Sequence, residues 1–132
     1  MHIKIESSKV KNLKAIFFNL ENEEFNDGKF DLIFTQMVLH HVNDIDGIIK
    51  VFSQLLNSGS YLAIADLYKE DGSFHGEGFS GHNGFNMDPL SDILRKNGFS
   101  DISHKPCFVI DREISETESK QFEVFIMVAK KE

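Results

Sequence analysis

Histidines are the residues of this sequence with the clearest chemical potential. Four of the six fall into two short segments: His40, His41, His75 and His82. An imidazole has an ordinary pKa close to neutral, so it can take a proton from a hydroxyl or an amine. We assign this general-base role to His41 and His40. The plainer alternative is a pair of loop histidines bound only to neighbouring groups or to solvent.

Metal coordination is the second kind of chemistry that these imidazoles suggest. Together with Asp66, the four histidines supply enough nitrogen and oxygen atoms for a transition-metal ion. Standard zinc motifs have characteristic short ligand spacings, however, and the spacings in this sequence match none of them. The sequence therefore predicts no metal site.

The segment KEDGSFHGEGFSGHNGF, Lys69–Phe85, holds five of the nine glycines and two of the histidines. Loops of this length inside a compact domain are uncommon, and they are usually either functional or disordered. Three phenylalanines argue against disorder, because disordered segments are poor in aromatic residues. We therefore expect an ordered loop, called the Gly-rich loop below, that lines a ligand pocket.

Apolar runs predict five strands. They are Lys14–Leu20 (KAIFFNL), Phe30–Leu39 (FDLIFTQMVL), Tyr61–Tyr68 (YLAIADLY), Ile102–Ile110 and Phe122–Ala129. Strands without polar alternation that are separated by helices are typical of a parallel sheet covered on both faces. The last two strands have no helix between them, which indicates an antiparallel pair. The predicted fold class is α/β, mostly parallel with an antiparallel C-terminal strand pair.

Two helices are predicted between these strands. The first has Asp44 as its N-cap and ends at Gly59, with an apolar stripe at helical spacing between them. The second has Asp88 as its N-cap, Pro89 at its first position and Gly98 as its stop. In such folds ligands bind outside the carboxyl ends of the strands. The HHVND segment and the Gly-rich loop both leave such ends, so both are expected at the ligand face.

Composition excludes several classes of partner. A chain of 132 residues supports one domain with a core, and a net charge of −7 gives no electrostatic help for binding nucleic acid. The single cysteine, Cys107, rules out an internal disulfide framework and suits a reducing compartment. No apolar run approaches the roughly 20 residues of a membrane helix, and the N-terminus lacks a signal-peptide core. We predict a cytoplasmic protein without membrane or nucleic-acid partners.

The order of the segments resembles a known family. The run FDLIFTQMVLHHVNDIDGIIKVFSQLLNSGSYLAIAD is similar to the middle of the S-adenosylmethionine-dependent methyltransferases with a Rossmann-like fold. Members of this family have an FDxI strand, a loop often reading LHHV, an amphipathic helix, a Leu-Leu-x-x-Gly-Gly turn and an apolar strand ending in Asp. LRKNGF followed by a terminal strand pair matches the family's ending, so the resemblance covers about residues 14–130.

The sequence departs from the family pattern at three places. Gly59-Ser60 stands where the family usually has two glycines. No G-x-G segment, which receives the methionine end of the cofactor in this family, precedes Lys14. The acidic residue that holds the ribose hydroxyls is absent as well. We therefore interpret residues 1–132 as a single partial domain, a truncated Rossmann-like methyltransferase sheet that starts at the family's third strand.

The family's sheet order, 3-2-1-4-5-7-6, adds an expectation about partners. Two absent strands would separate KAIFFNL from FDLIF, and FDLIF would then be an apolar edge with unpaired backbone groups. KAIFFNL could move over to pair with FDLIF, two copies could pair as a homodimer, or a separate chain could supply the missing strands. We favour the first arrangement combined with a homodimer.

The resemblance also implies roles for single residues. Asn19 falls where the family has an Asp that accepts a hydrogen bond from the adenine amino group, unless it is a plain turn residue. Leu20 would offer its backbone N–H to the adenine ring, and Thr35 and Gln36 would lie beside the methionine moiety. The histidine pair falls at the junction of cofactor and acceptor. Residues that would line the acceptor pocket, or only pin the loop to the core, are Tyr68, Phe74, His75, Phe79, His82 and Phe85.

The function implied by the resemblance is methyl transfer from S-adenosylmethionine to a small-molecule acceptor, with this chain as the C-terminal portion of the enzyme. Weak or absent cofactor binding is expected for the chain alone. The alternative is a non-catalytic remnant or a regulatory subunit that binds a partner. A nicotinamide-dependent dehydrogenase is disfavoured, because the G-x-G-x-x-G motif is missing.

Overall fold

Four strands and two helices make up the regular structure of the described residues. The computed structural model describes residues 12–13, 16, 18–21, 23–26 and 28–132. The elements are β1 (Phe30–Gln36), α1 (Ile45–Leu55), β2 (Leu56–Leu67), α2 (Met87–Lys96), β3 (Phe99–Glu113) and β4 (Ser119–Lys131). A 3-10 turn, Leu39–His41, lies between β1 and α1. Neither described helix is long and apolar enough to cross a membrane.

The strands form one sheet in the order β1-β2-β4-β3. β1 pairs with β2 in parallel, and β4 is antiparallel to both β2 and β3. Three of the four strands therefore run in the same direction, with the antiparallel pair at the C-terminus. This arrangement confirms the predicted α/β class, and it matches the 4-5-7-6 half of the sheet order that the resemblance implied.

The predicted strand Lys14–Leu20 has no counterpart among the described strands. Lys14, Ala15 and Phe17 lie outside the described residues, and the rest of the segment has no strand structure. Asn19 Oδ1 accepts a hydrogen bond from the backbone N–H of Glu21 at 3.0 Å, which forms a turn instead. Within the described part of the chain, no strand pairs with the outer edge of β1.

Helix α1 begins as predicted and ends earlier. Asp44 caps it, because the carboxylate Oδ1 accepts a hydrogen bond from the N–H of Gly47 at 3.0 Å. The predicted stop at Gly59 is wrong, since α1 ends at Leu55 and β2 follows at once. Gly59 instead has a φ of 84° in the irregular start of β2, where the register with β1 shifts.

Helix α2 also differs from the prediction, at its start. Its N-cap is Asn86, not Asp88, and the helix begins at Met87. Pro89 is therefore the third helical residue rather than the first, a position where the missing N–H still costs no intrahelical hydrogen bond. Gly98 follows the C-cap with a φ of 90°, so the predicted stop is confirmed.

The main core lies on one face of the sheet, beneath both helices. The buried residues that form it from the strands are Leu56, Leu62, Ile64, Phe99, Phe125, Met127 and Ala129. The helices contribute apolar stripes around Ile49 and Leu94, both fully buried. Because both stripes belong to this one core, both helices lie on the same face of the sheet.

The opposite face is bare along β1 and the start of β2. Leu32, Phe34 and Tyr61 lie side by side on it and are 60%, 55% and 45% exposed. Farther along this face, Leu67 and Val124 are buried with Phe74 and Phe122 in a smaller second core. Among the described residues, the expectation of a sheet covered on both faces therefore holds for only part of the second face. The apolar character of β1 reflects a face that no described element covers.

Candidate functional site

The candidate site lies where β1 and β2 end, at the carboxyl edge of the sheet. Met37 takes a φ of 55° directly after β1, and its N–H donates to the carbonyl oxygen of Ala65 at 2.8 Å. A non-glycine residue in this left-handed region is uncommon and marks a sharp turn. The turn directs the 3-10 segment Leu39–His41 across the end of β2.

A buried imidazole and a buried carboxylate form the centre of the site. His40 is 2% exposed and Asp66 is fully buried. His40 Nδ1 lies 2.6 Å from Asp66 Oδ1, and the backbone N–H of His40 donates to Asp66 Oδ2 at 3.1 Å. The N–H of Leu67 donates to Oδ1 at 2.8 Å. Since an ionised carboxylate can only accept hydrogen bonds, we assign a proton to Nδ1 of His40, and Nε2 is the ring nitrogen left for a second contact.

Two further imidazoles lie beside His40. Ring centroids are 4.2 Å apart for His40 and His41, 4.9 Å for His40 and His75, and 5.4 Å for His41 and His75. One ring nitrogen from each histidine lies within 4.8 Å of the others. His40 is buried, His75 is half-buried and His41 is exposed. The cluster therefore reaches from the protein interior to the surface.

Aromatic rings frame the histidine cluster. Phe79 stacks on His75 with centroids 3.9 Å apart and planes 19° from parallel, and it meets His41 edge-on at 5.6 Å. Phe74 contacts His75 edge-on at 4.8 Å. Burial lowers the pKa of His75, and repulsion from His40 and His41 lowers this pKa further, while Glu70 opposes the shift. The environment therefore favours the neutral form of His75.

Close approach explains two of the loop's glycines. The N–H of His82 donates to the carbonyl oxygen of His40 at 2.8 Å, which draws the loop onto the 3-10 turn. A Cβ at Gly81 would collide with that same carbonyl oxygen and with the Phe79 ring. Gly84 has a φ of 78°, and a Cβ there would collide with the backbone of Tyr68. Glycine is thus required where the loop meets the ends of the strands.

Hydrogen bonds hold both ends of the loop. The N–H of Glu70 donates to the carbonyl oxygen of Asn83 at 3.0 Å, and the N–H of Phe85 donates to that of Leu67 at 2.9 Å. Glu70 Oε2 accepts the N–H of Gly72 at 2.7 Å. Two buried side-chain atoms in the described chain have no hydrogen-bond partner, Glu70 Oε1 and His75 Nε2, and both belong to this loop.

The predicted acceptor residues divide into two groups. Phe74 and His75 lie beside His40, but Phe74 is also buried against Phe122 at 5.0 Å with the Arg112 guanidinium 4.4 Å above its ring. It therefore pins the loop to the sheet. His82, Phe85, Asn43, Pro89 and Ile93 line a separate cavity of about 240 Å³.

Tyr68 belongs with the second group. It is half-buried, bridges to Phe85 and packs edge-on against Phe125 at 5.4 Å. Burial raises the pKa of its phenol. The histidine cluster and the cavity lined by His82 and Phe85 lie on either side of the loop's contact with His40.

The predicted cofactor residues lie near the other side of the 3-10 turn. Asn19 and Leu20 line a groove of about 280 Å³ together with Val38, Leu39, Val42 and Phe52. Thr35 and Gln36 lie at the end of β1 opposite Ile64 and Ala65. Asn19 uses its side-chain oxygen in the turn with Glu21, as in the plain interpretation. The groove offers a concave surface beside the end of β1.

Asp66 is the residue at the centre of the site that the sequence interpretation left without a catalytic or binding role. It accepts hydrogen bonds from His40, and its signal was a carboxylate that ends a continuous apolar strand, where a buried charge needs a partner. Phe79, one of the aromatic residues predicted to line the acceptor pocket or to pin the loop to the core, stacks on His75.

Comparisons with known proteins identify the family. A family model described as a methyltransferase domain matches residues 1–121. A Schizosaccharomyces pombe protein named as an uncharacterized methyltransferase is 27% identical, over 54% of this chain and 28% of its own length. This chain therefore spans less than a third of that relative.

Solved structures agree with the family match. A Bacillus halodurans protein described as a methyltransferase has a TM-score of 0.74 at 13% identity, over 98% of this chain and 76% of that protein. Haemonchus contortus phosphoethanolamine N-methyltransferase 2, bound to phosphomonomethylethanolamine and S-adenosylhomocysteine, has a TM-score of 0.74 at 15% identity, over 98% of this chain and 39% of that one. With its sequence match and its fold, this chain belongs to the S-adenosylmethionine-dependent methyltransferase family with a Rossmann-like fold.

Proposed function

We propose that this chain is the C-terminal, acceptor-side portion of an S-adenosylmethionine-dependent methyltransferase that acts on a small molecule. The observation that carries the proposal is the buried His40–Asp66 pair beside the exposed His41 at the carboxyl edge of the sheet. Ligands bind at this edge in α/β sheets. A buried carboxylate that orients an imidazole next to a second, accessible imidazole suits proton transfer at such an edge.

In this proposal His41 is the general base. The bound cofactor supplies a methyl group on a positively charged sulfur, and a hydroxyl or amine acceptor loses a proton as it takes that group. His41 receives the proton, while His40 acts as a positioning residue because Asp66 fixes its ring 4.2 Å from that of His41. Most of the rate acceleration comes from holding the acceptor in line with the methyl group.

The Gly-rich loop supplies the acceptor contacts. The proposed residues are Tyr68, Phe74, His75, Phe79, His82 and Phe85, of which Phe79 stacks on His75. A small acceptor could bind at the histidine cluster or in the cavity of about 240 Å³. Small apolar pockets with a few polar groups are typical of such acceptors.

The cofactor would occupy the groove beside the end of β1. Asn19 and Leu20 line this groove, and Thr35 and Gln36 lie at the neighbouring strand end. The 132 residues do not include the G-x-G segment or the ribose carboxylate ahead of Lys14. Each lost charge-assisted hydrogen bond removes roughly 1.5–3 kcal/mol, so a few such losses bring a micromolar site to the millimolar range.

A partner would cover the bare sheet face and the outer edge of β1. Leu32, Phe34 and Tyr61 form an exposed apolar row there, and edge strands of this kind pair readily with other chains. We propose a homodimer through this surface, with a separate chain that supplies the missing strands as the alternative. Cys107 is exposed and unpaired, which suits the reducing cytoplasm.

Calorimetry with S-adenosylmethionine tests the cofactor part of the proposal. The tag-free chain should bind with a dissociation constant of about 1 mM or weaker. A micromolar constant for the chain alone would show that the missing segment is not needed. Light scattering on the same sample reports whether the chain is a dimer when it is titrated.

A chimaera tests the catalytic part. The cofactor-binding N-terminal half of the Bacillus halodurans relative would be joined ahead of Lys14, and transfer of labelled methyl would be measured against mixed hydroxyl and amine acceptors. We expect transfer that His41→Ala reduces by about 10²–10⁴-fold, the usual contribution of a general base. His104→Ala removes an exposed imidazole on β3 and serves as the matched control. A chimaera that binds the cofactor but transfers no methyl favours the non-catalytic, partner-binding subunit.

A further inference from the structure

The histidine cluster has a feature that the proposed function leaves unused. Nε2 of His75 is buried without a hydrogen-bond partner, and Nδ1 of His40 is engaged by Asp66, which leaves the Nε2 of His40 as its nitrogen available to a ligand. His41 adds a third imidazole at the surface. General-base catalysis needs only one of these rings, so three converging imidazoles call for another explanation.

The geometry is close to that of a three-histidine metal centre. Zinc–nitrogen bonds of about 2.0–2.1 Å in a tetrahedral site place the ligand nitrogens about 3.3 Å apart. Here one nitrogen from each ring lies within 4.8 Å of the others. His41 is exposed and His75 lies in a loop, so modest side-chain movements toward the fixed ring of His40 would complete the site.

The surroundings also resemble those of metal-binding histidines. Histidine ligands usually donate their second ring N–H to a carboxylate, which fixes the tautomer and raises the basicity of the ligand nitrogen. Asp66 does this for His40 at 2.6 Å. Near His75, the carboxylate of Glu70 has a buried Oε1 without a hydrogen-bond partner.

We propose that His40, His41 and His75 bind one divalent transition-metal ion of the zinc class. Three imidazoles suit Zn²⁺, Co²⁺, Ni²⁺ or Cu²⁺ rather than Mg²⁺ or Ca²⁺, which prefer oxygen ligands. Three protein ligands leave a coordination position open toward the surface at His41, as in zinc sites that take a further ligand. The ion would tie the Gly-rich loop to the 3-10 turn through His75.

This site does not depend on the proposed function, because it is built only from residues of this chain and needs no methyl donor. Where both hold, they are coupled: coordination uses the lone pair of His41 that a general base needs. A bound ion would then suppress proton transfer through His41 and act as a switch on the acceptor side.

Metal titration of the full, tag-free chain tests the site. After treatment with a chelator, the chain would be titrated with Zn²⁺ in competition with a chromophoric chelator, and with Co²⁺ while the visible absorption is recorded. We expect one ion per chain, a dissociation constant for Zn²⁺ of about 1 μM or lower, and a Co²⁺ band typical of four- or five-coordinate nitrogen ligation. The proposal would be overturned if the chain failed to bind one Zn²⁺ ion even at a Zn²⁺ concentration about 100-fold above this expected dissociation constant.

Variants assign the ligands. Loss of a supporting residue around a metal ligand already costs about 10–100-fold in affinity, so His75→Ala and His41→Ala should each weaken Zn²⁺ binding by at least about 100-fold. His82→Ala lies in the same loop but outside the cluster, and it should leave the Zn²⁺ affinity within about twofold. Equal affinity in all three variants would place the ion elsewhere and refute the site.

X-ray absorption on the zinc-loaded, unsubstituted chain gives a measurement that does not rely on the folding of any variant. Three imidazoles in the first coordination shell are expected. Fewer than two imidazoles would contradict the assignment, and so would coordination dominated by oxygen. Far-UV circular dichroism of His75→Ala and His41→Ala confirms that any loss of metal is not a loss of fold.

Discussion

The two faces of this sheet have similar apolar sequences and very different surroundings. On one face Leu62 and Ile64 of β2 lie beneath α1 and α2 and are 0% and 1% exposed. On the other face Leu32 and Phe34 of β1 are more than half exposed. Burial thus depends on what covers a strand, and the bare part of the second face is where we propose that a partner binds.

The site lies at the carboxyl edge of the sheet, and its buried pair should be the part of the molecule most sensitive to substitution. Asp66→Ala leaves His40 without its acceptor and removes three hydrogen bonds. A hydrogen bond to a charged group contributes about 1.5–3 kcal/mol. We expect the free energy of unfolding, measured in urea, to fall by at least about 3 kcal/mol.

A double-mutant cycle sharpens this result. His40→Ala and the double variant should show that the two losses are strongly non-additive, because both remove the same contact. Additive losses would mean that the pair contributes through packing alone.

Identical substitutions on the two faces provide the direct comparison. Leu62→Ala creates a cavity beneath the helices and should lower the free energy of unfolding by about 2–5 kcal/mol. Leu32→Ala removes the same atoms from a side chain that is 60% exposed, and in the monomer it should cost less than about 0.5 kcal/mol. Both are measured by urea unfolding at low protein concentration. A large loss for Leu32→Ala would show that the second face is covered.

Charge on the bare face should change association rather than folding. Phe34→Glu places a carboxylate in the exposed row and should convert the proposed dimer to a monomer, since large aromatic residues of interfaces often contribute about 2 kcal/mol or more. Sedimentation of the parent chain and the variant at tens of micromolar decides this. A cooperatively folded parent chain that is already monomeric would refute the dimer.

The sequence predicted the covered face of the sheet better than the bare face. Periodicity predicted both helices, and apolar runs predicted the four strands, because burial on the covered face leaves a clear pattern in β2 and β4. Helix boundaries were missed at Gly59 and Asp88, where strand pairing and a neighbouring Asn outweighed the local signals. The same apolar signal in β1 was misinterpreted as burial on both faces, since a sequence shows that a strand is apolar but not what covers it.

The candidate site, too, was only partly predictable from the sequence. The loops at the carboxyl edge and the importance of the histidines were predictable from strand order. The contact of His75 with His40 was not, because it depends on how Gly81 and Gly84 allow the loop to fold back across 35 residues of sequence separation between the two histidines. A metal site built from such distant residues has no spacing motif to detect.

The smallest expected effect concerns the attachment of the Gly-rich loop to β4. Lys120 Nζ donates to Asp71 Oδ2 at 2.6 Å, and the hydrogen bonds from Lys120 and Ser73 hold the pKa of Asp71 well below its ordinary value of 3.8. Because the folded-state pKa is depressed, this contribution to stability is fully present above pH 3.8 and declines as the pH falls toward the folded-state pKa. Asp71 and Lys120 are exposed, so the effect is limited to local opening.

Hydrogen exchange measures that opening. We expect the amides of Glu70–Asn86 to exchange faster than those of Leu62–Ala65, and Asp71→Asn to raise loop exchange slightly at pH 7, where the carboxylate is charged. Once exchange is corrected for its intrinsic pH dependence, the variant and the parent chain should converge only in strong acid, where Asp71 is protonated. Convergence already at pH 5 would mean that the Asp71–Lys120 contact does not hold the loop, and protection equal to that of Leu62–Ala65 would mean that the loop opens only with the sheet.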